Sequence, residues 1–112
     1  MTLLARLVAK EEGFGVPGAI PTVRHNPGDL RHSPHSTHAP GDPEGIGTID
    51  TDDHGWEDLE RQLRLDAARG LTLAQFVEKY APPAENNSKQ YLAYLCVGLF
   101  ADTPVSEALK KP

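Results

Sequence analysis

The chain has 112 residues, enough for one hydrophobic core and too few for two stable ones, and its 38% hydrophobic and 24% charged content is that of an ordinary globular chain rather than a disordered or membrane-spanning one. With 11 basic against 16 acidic residues the net charge is −5, so the dense positive field that attracts a nucleic-acid backbone is missing. The single cysteine, Cys96, excludes an internal disulfide and any multi-cysteine zinc site.

Residues 2–12 read as a helix capped by Thr2, with Leu3, Leu4, Leu7 and Val8 on one face. Arg6 and Lys10 interrupt the apolar run that a secretory signal needs, so no signal peptide is expected. Gly13, Gly15, Pro17 and Gly18 end the helix and open a long irregular segment to about residue 54, softest between His32 and Gly47. The alternation in Gly47-Thr48-Ile49-Asp50-Thr51 suits a short strand, leaving room for a small β-hairpin.

Trp56, Leu59 and Leu63 then recur at three- and four-residue steps, predicting a helix over 55–69 closed by Gly70, with Asp53 as an N-cap at the turn before it. Thr72 with Gln75 forms a capping box ahead of Leu73, Phe76, Val77 and Tyr80, and Pro82-Pro83 ends that helix. Asn87 or Ser88 caps the next, carrying Tyr91, Leu92, Leu95 and Leu99 inward, and Thr103-Pro104 opens a last short one with Val105 and Leu109. The expected fold is therefore mainly α, with four to five helices around one core, in a single domain over 1–112.

Two carboxylates, Glu11 and Glu12, end the first helix before a glycine turn. On a helical wheel Glu11 falls near the middle of the apolar face and Glu12 near its edge. An edge position is both partly desolvated and open to substrate, and desolvation raises a carboxyl pKa toward what a general acid needs. The turn Arg24-His25-Asn26-Pro27-Gly28-Asp29-Leu30-Arg31 can present Asn26 and Asp29 to sugar hydroxyls, or use both to tie itself together. Tyr80, Tyr91, Tyr94 and Trp56 could stack on sugar rings, though core packing is the commoner fate of such side chains.

The ordered set Glu12-Gly13-Phe14, Pro17-Gly18-Ala19-Ile20-Pro21, His25-Asn26-Pro27-Gly28-Asp29-Leu30, Ile49-Asp50-Thr51, Gly55-Trp56, Gln62-Leu63, Gly70-Leu71-Thr72-Leu73 and Tyr80-Ala81-Pro82-Pro83 with Glu85-Asn86 and Tyr91 resembles lysozyme-like proteins of phages and prophages. That resemblance implies an α+β fold like goose-type lysozymes and lytic transglycosylases, whose glutamate at the end of the first core helix protonates the bond between wall sugars. Glu12, directly before Gly-Phe, matches that glutamate. Asn86 enters as a binding candidate on the same pattern. Such proteins act on the peptidoglycan glycan strand or serve as virion components, which implies wall glycan and other virion proteins as partners. It also implies action at the bacterial wall, from the host cytoplasm before release or from the particle.

A retaining glycosidase needs two carboxyls about 5–5.5 Å apart and an inverting one roughly 6.5–9.5 Å, and Asp29 and Asp50 are the candidates for a second. Without one, Glu12 can serve as acid and then base while the sugar's own hydroxyl or a water closes the reaction, the route expected here. The run Asp50, Asp52, Asp53 and His54 lacks the spacing of a calcium loop. His32, His35 and His38 step by three, but Pro34 argues against the helix that would align them. Neither metal nor cofactor is expected.

Overall fold

The computed structural model describes residues 1–80, 91, 93 and 99–112. Helix α1 spans Leu3–Glu12 and begins as expected at Thr2, whose hydroxyl accepts the Ala5 N–H at 3.2 Å. Thr2 is itself anchored, its backbone N–H donating to Glu60 Oε1 at 2.7 Å. Gly13 closes the helix at φ +93°, returning its N–H to the Ala9 and Lys10 carbonyls; a side chain here would be strained. The buried stripe is Leu4, Ala5, Val8 and Ala9, displaced from the leucine face by the two alanines, whose small side chains are the ones pressed into the core.

A short helix α2, Ile20–Val23, interrupts the irregular segment. The expected strand over 47–51 reduces to one antiparallel bridge, Thr37 with Thr48. The reason lies in where its N–H groups go: Gly47 donates to Leu30, Thr48 to Thr37 and Ile49 to Arg24. Three successive residues serve three different segments, so no ladder can extend. Ile49 is buried all the same and Leu30 nearly so.

Helix α3, Asp52–Ala68, starts three residues before the expected position of 55. Thr51 is the N-cap, its hydroxyl accepting the His54 N–H at 3.1 Å, and Asp53 lies in the first turn instead of capping it. Two acids there suit the positive end of the helix dipole. Its buried positions are Gly55, Asp58, Leu59, Leu63 and Asp66, a helical stripe containing two carboxylates. Asp66 accepts from Lys79 Nζ, from Arg69 at 3.2 Å and from Gln62 at 3.4 Å, joining α3 to α4.

Helix α4, Leu73–Tyr80, carries the expected capping box: Thr72 N–H donates to Gln75 Oε1 at 2.9 Å and Gln75 N–H to Thr72 Oγ1 at 3.2 Å. Helix α5, Val105–Ala108, follows Pro104. A bridge between Thr72 and Pro104 holds the two helix starts together, with Leu73 N–H on Thr103 and Val105 N–H on Leu71, each at 2.8 Å. The described residues are thus mainly helical, with five helices and isolated bridges. Leu4, Val8, Leu59, Leu63, Leu73, Phe76, Val77, Tyr91 and Val105 share one core, and Phe14 meets Trp56 edge-on at 5.3 Å against its margin. None of these helices is long and apolar enough to cross a membrane.

Candidate functional site

Glu12 continues the stripe of Ala5, Val8 and Ala9 at the last turn of α1, so its side chain is half-buried while that of Glu11 is exposed. The wheel's edge assignment is corrected accordingly: Glu12, not Glu11, lies in register with the buried face. Tyr91, buried in the core, donates its hydroxyl to Glu12 Oε1 at 3.1 Å. Burial pushes the Glu12 carboxyl up to about 7, the nearby Asp29 charge and that of Glu11 push the same way, and the Tyr91 hydrogen bond opposes them. The carboxyl also stands at the negative end of a helix dipole, which further disfavours its charged form.

Asp29 is carried to this place by a turn built around Asn26. The Asn26 amide is fully buried; its Nδ2 donates to the Leu30 and Gly47 carbonyls at 2.8 Å each, and its Oδ1 accepts the Leu30 N–H at 3.0 Å. Of the two readings open to Asn26, binding a sugar or tying the turn, the geometry takes the second. Its donors and acceptor are spent on backbone, so it is not a ligand contact, and its role is to hold the loop.

The turn closes with Asp29 N–H on the Asn26 carbonyl at 2.9 Å, and His25 and Asp29 on either side both adopt left-handed backbone, φ +50° and +51°. Gly28 makes the turn's approach to the helices possible. A Cβ there would lie 2.8 Å from the Tyr80 hydroxyl and 2.9 Å from Leu59 Cδ1, inside any real carbon contact. Gly55 serves the same end from the helix side, since its Cβ would run into the His25 carbonyl and come within 2.7 Å of Pro27 Cδ.

Asp29 Oδ1 is buried with no hydrogen-bond partner among the described residues. Burial raises this carboxyl, while the guanidinium groups of Arg24 and Arg31 draw it back down. Those two arginines are themselves fixed, Arg24 on the Ile46 carbonyl at 2.6 Å and Arg31 on that of Glu44 at 2.9 Å. A groove of about 310 Å³ opens beside Asp29, lined also by Arg31, Gln62, Lys79 and Tyr80. Tyr80 reaches its rim half-buried, with its hydroxyl donated to the Gly28 carbonyl. Burial holds both the Tyr80 and Tyr91 phenols above their ordinary range, with the Glu12 charge adding to it.

The sequence candidates therefore divide. Glu12, Asp29 and Tyr91 come together, with Tyr80 beside them, its ring 6.4 Å from that of Tyr91. Asp50 does not join them: it is exposed, and its carboxylate pairs with His54 Nδ1 at 2.7 Å, a bond that lowers its pKa. The early start of α3 explains this, because it places Asp50 just outside the N-cap where His54 can reach back to it. Trp56 packs at the core margin. Asn86, Tyr94 and Cys96, with the caps expected at Asn87 or Ser88, lie outside the described residues.

One organising residue was not singled out from sequence. Asp58 is buried and accepts from the Ser33 hydroxyl at 2.5 Å, the His35 N–H at 2.9 Å and the His35 ring at 2.7 Å. Burial alone would raise its pKa; these bonds outweigh that and lower it. Its signal was its place beside Leu59 and three residues after Gly55 on the inward face of α3. Compared with protein-family models, curated proteins and solved structures, the chain matches none.

Proposed function

We propose that this chain is a lysozyme-like domain that cleaves the glycan strand of bacterial peptidoglycan, with Glu12 as general acid. The single observation that carries the reading is the Glu12 carboxyl, half-buried at the end of α1, in contact with Tyr91, and raised to about 7. A group with that pKa is about half protonated at neutral pH, and its protonated form can donate to a glycosidic oxygen. Asp29 lies near enough for its charge to raise the Glu12 carboxyl further, and its own carboxyl is raised by burial against the pull of Arg24 and Arg31.

The order of motifs from Glu12-Gly13-Phe14 to Tyr91, similar to that of phage and prophage lysozyme-like proteins, supports the same reading and the α+β lysozyme-like fold it implies. The substrate is the strand of alternating N-acetylmuramic acid and N-acetylglucosamine. The place of action is the bacterial wall.

The test is to incubate purified chain and its Glu12→Gln variant with peptidoglycan and analyse released muropeptides by mass spectrometry. The native chain is expected to release fragments, with a rate that falls as pH rises through about 7, and the variant to release none. An anhydro end, lighter by one water, would assign transglycosylation over hydrolysis. Equal release by both proteins removes Glu12 from the chemistry; binding of wall without release leaves a glycan-gripping or virion module.

A further inference from the structure

His32, His35 and His38 do not gather with one another; instead His35 is set against helix α3. Its ring stacks on that of His54 with centroids 4.0 Å apart and planes 9° from parallel. One nitrogen of each ring and a carboxylate oxygen of Glu57, one turn from His54, all lie within 4.8 Å of one another. Each imidazole is backed by a carboxylate: His35 Nδ1 faces Asp58 Oδ1 and His54 Nδ1 faces Asp50 Oδ1, both at 2.7 Å. A carboxylate at Nδ1 holds the proton there and leaves Nε2 as the nitrogen able to take a ligand. That is the outer-shell arrangement that orients histidine ligands of zinc.

We propose that His35, His54 and Glu57 form a binding site for a divalent transition-metal ion of the zinc type. Two imidazole nitrogens and one carboxylate oxygen are a donor set that zinc takes with water in the remaining position. Magnesium and calcium, which prefer oxygen donors throughout, fit it poorly. Ligand bonds of about 2.0–2.2 Å require the three donors to draw in from their present spacing and the two rings to open from their stack. The side chains have the freedom to do so, since His35 is 35% and His54 40% exposed and Glu57 is exposed.

The carboxylate behind His35 does not share that freedom. Asp58 is 2% exposed and fixed by Ser33 as well as by the His35 backbone, which ties the loop half of the site to the helix half. His35 and Glu57 line an open depression of about 740 Å³ that Trp56 and Asp58 also border, so an ion can enter from solvent. The side-chain bonds and ring contact of His35 and His54 go to Asp58, Asp50 and each other rather than to Glu12, Asp29 or Tyr91, so the site stands or falls apart from the glycosidase reading. The expectation that this chain takes no metal rested on neighbours in sequence, whereas this cluster joins a loop to a helix.

The experiment is calorimetric titration of the untagged chain at about pH 8 with Zn2+, with Mg2+ as a second arm, repeated on Glu57→Gln, His54→Ala and His25→Ala. His54 and Glu57 both project from α3, so their variants are expected to keep the native circular dichroism spectrum and melting curve. One Zn2+ per chain is expected, with no Mg2+ uptake. Affinity should fall about 10-fold or more in Glu57→Gln and in His54→Ala and stay unchanged in His25→Ala. Absence of saturable Zn2+ binding, or native affinity in either Glu57→Gln or His54→Ala, overturns the site.

Discussion

At Glu12 the same desolvation that suits a proton donor works against folding stability. Its pKa is 4.5 in an ordinary setting and about 7 in the folded chain, so between those values the folded state holds more protons than the unfolded one. Stability from this group therefore falls as pH rises from about 4.5 to 7 and is constant above. Glu12→Gln removes the penalty while keeping the shape of the side chain. The variant is expected to match the native protein at pH 4.5 and to exceed it at pH 8 by on the order of 1–2 kcal/mol, allowing for solvent screening at a half-buried site. Urea midpoints at the two pH values measure this, and an equal difference at both would refute the shifted carboxyl. The neighbours should act with opposite signs: Asp29→Asn removes a charge that raises the Glu12 pKa and should lower it, whereas Tyr91→Phe removes a bond that lowers it and should raise it. Carbon-detected NMR titration of the Glu12 carboxyl follows both; shifts in the same direction would contradict the assignment.

Helix α3 is the element on which the site is assembled, because the loop carrying Asn26 and Asp29 lies directly on Gly55 and Leu59. Alanine in place of glycine inside a helix ordinarily gains up to about 1 kcal/mol. Here the added methyl would drive into the His25 carbonyl and Pro27, and the overpacking term of roughly 1–3 kcal/mol is the larger. Gly55→Ala is therefore expected to lower stability by about 1–2 kcal/mol net and to loosen the turn that presents Asp29. Thermal melts report the first effect and amide exchange at Asn26 and Leu30 the second; a stabilised variant would mean that the loop does not pack as described. The N-cap and glycine stop of α1 and the capping box of α4 were legible because they depend on residues a few positions apart. The start of α3 was not, since apolar periodicity begins only at Trp56 while the helix is nucleated earlier by Thr51 and two acids.

The charge of the whole molecule, −5, bears on how the proposed substrate is reached. Bacterial wall is anionic, so long-range repulsion opposes encounter, and affinity has to come from the groove and its hydrogen bonds. Muropeptide release by the chain should accordingly rise as salt goes from about 10 to 100 mM, where the Debye length falls from about 30 to 10 Å. A steep fall over that range would indicate a cationic docking face instead.

What could be read from the sequence was whatever depends on near neighbours: four of the five described helices and the caps at Thr2 and Thr72. These follow from helical period and local hydrogen bonding, which act over a few residues. Folding alone decided the rest. It spent Asn26 on backbone, separated Asp50 from Glu12 and brought Asp29 to it, buried Asp58 and Asp66 in an otherwise apolar stripe, and stacked His35 on His54. Each of these depends on which distant segment a side chain meets and on how much water remains around it, quantities that spacing along a chain does not carry.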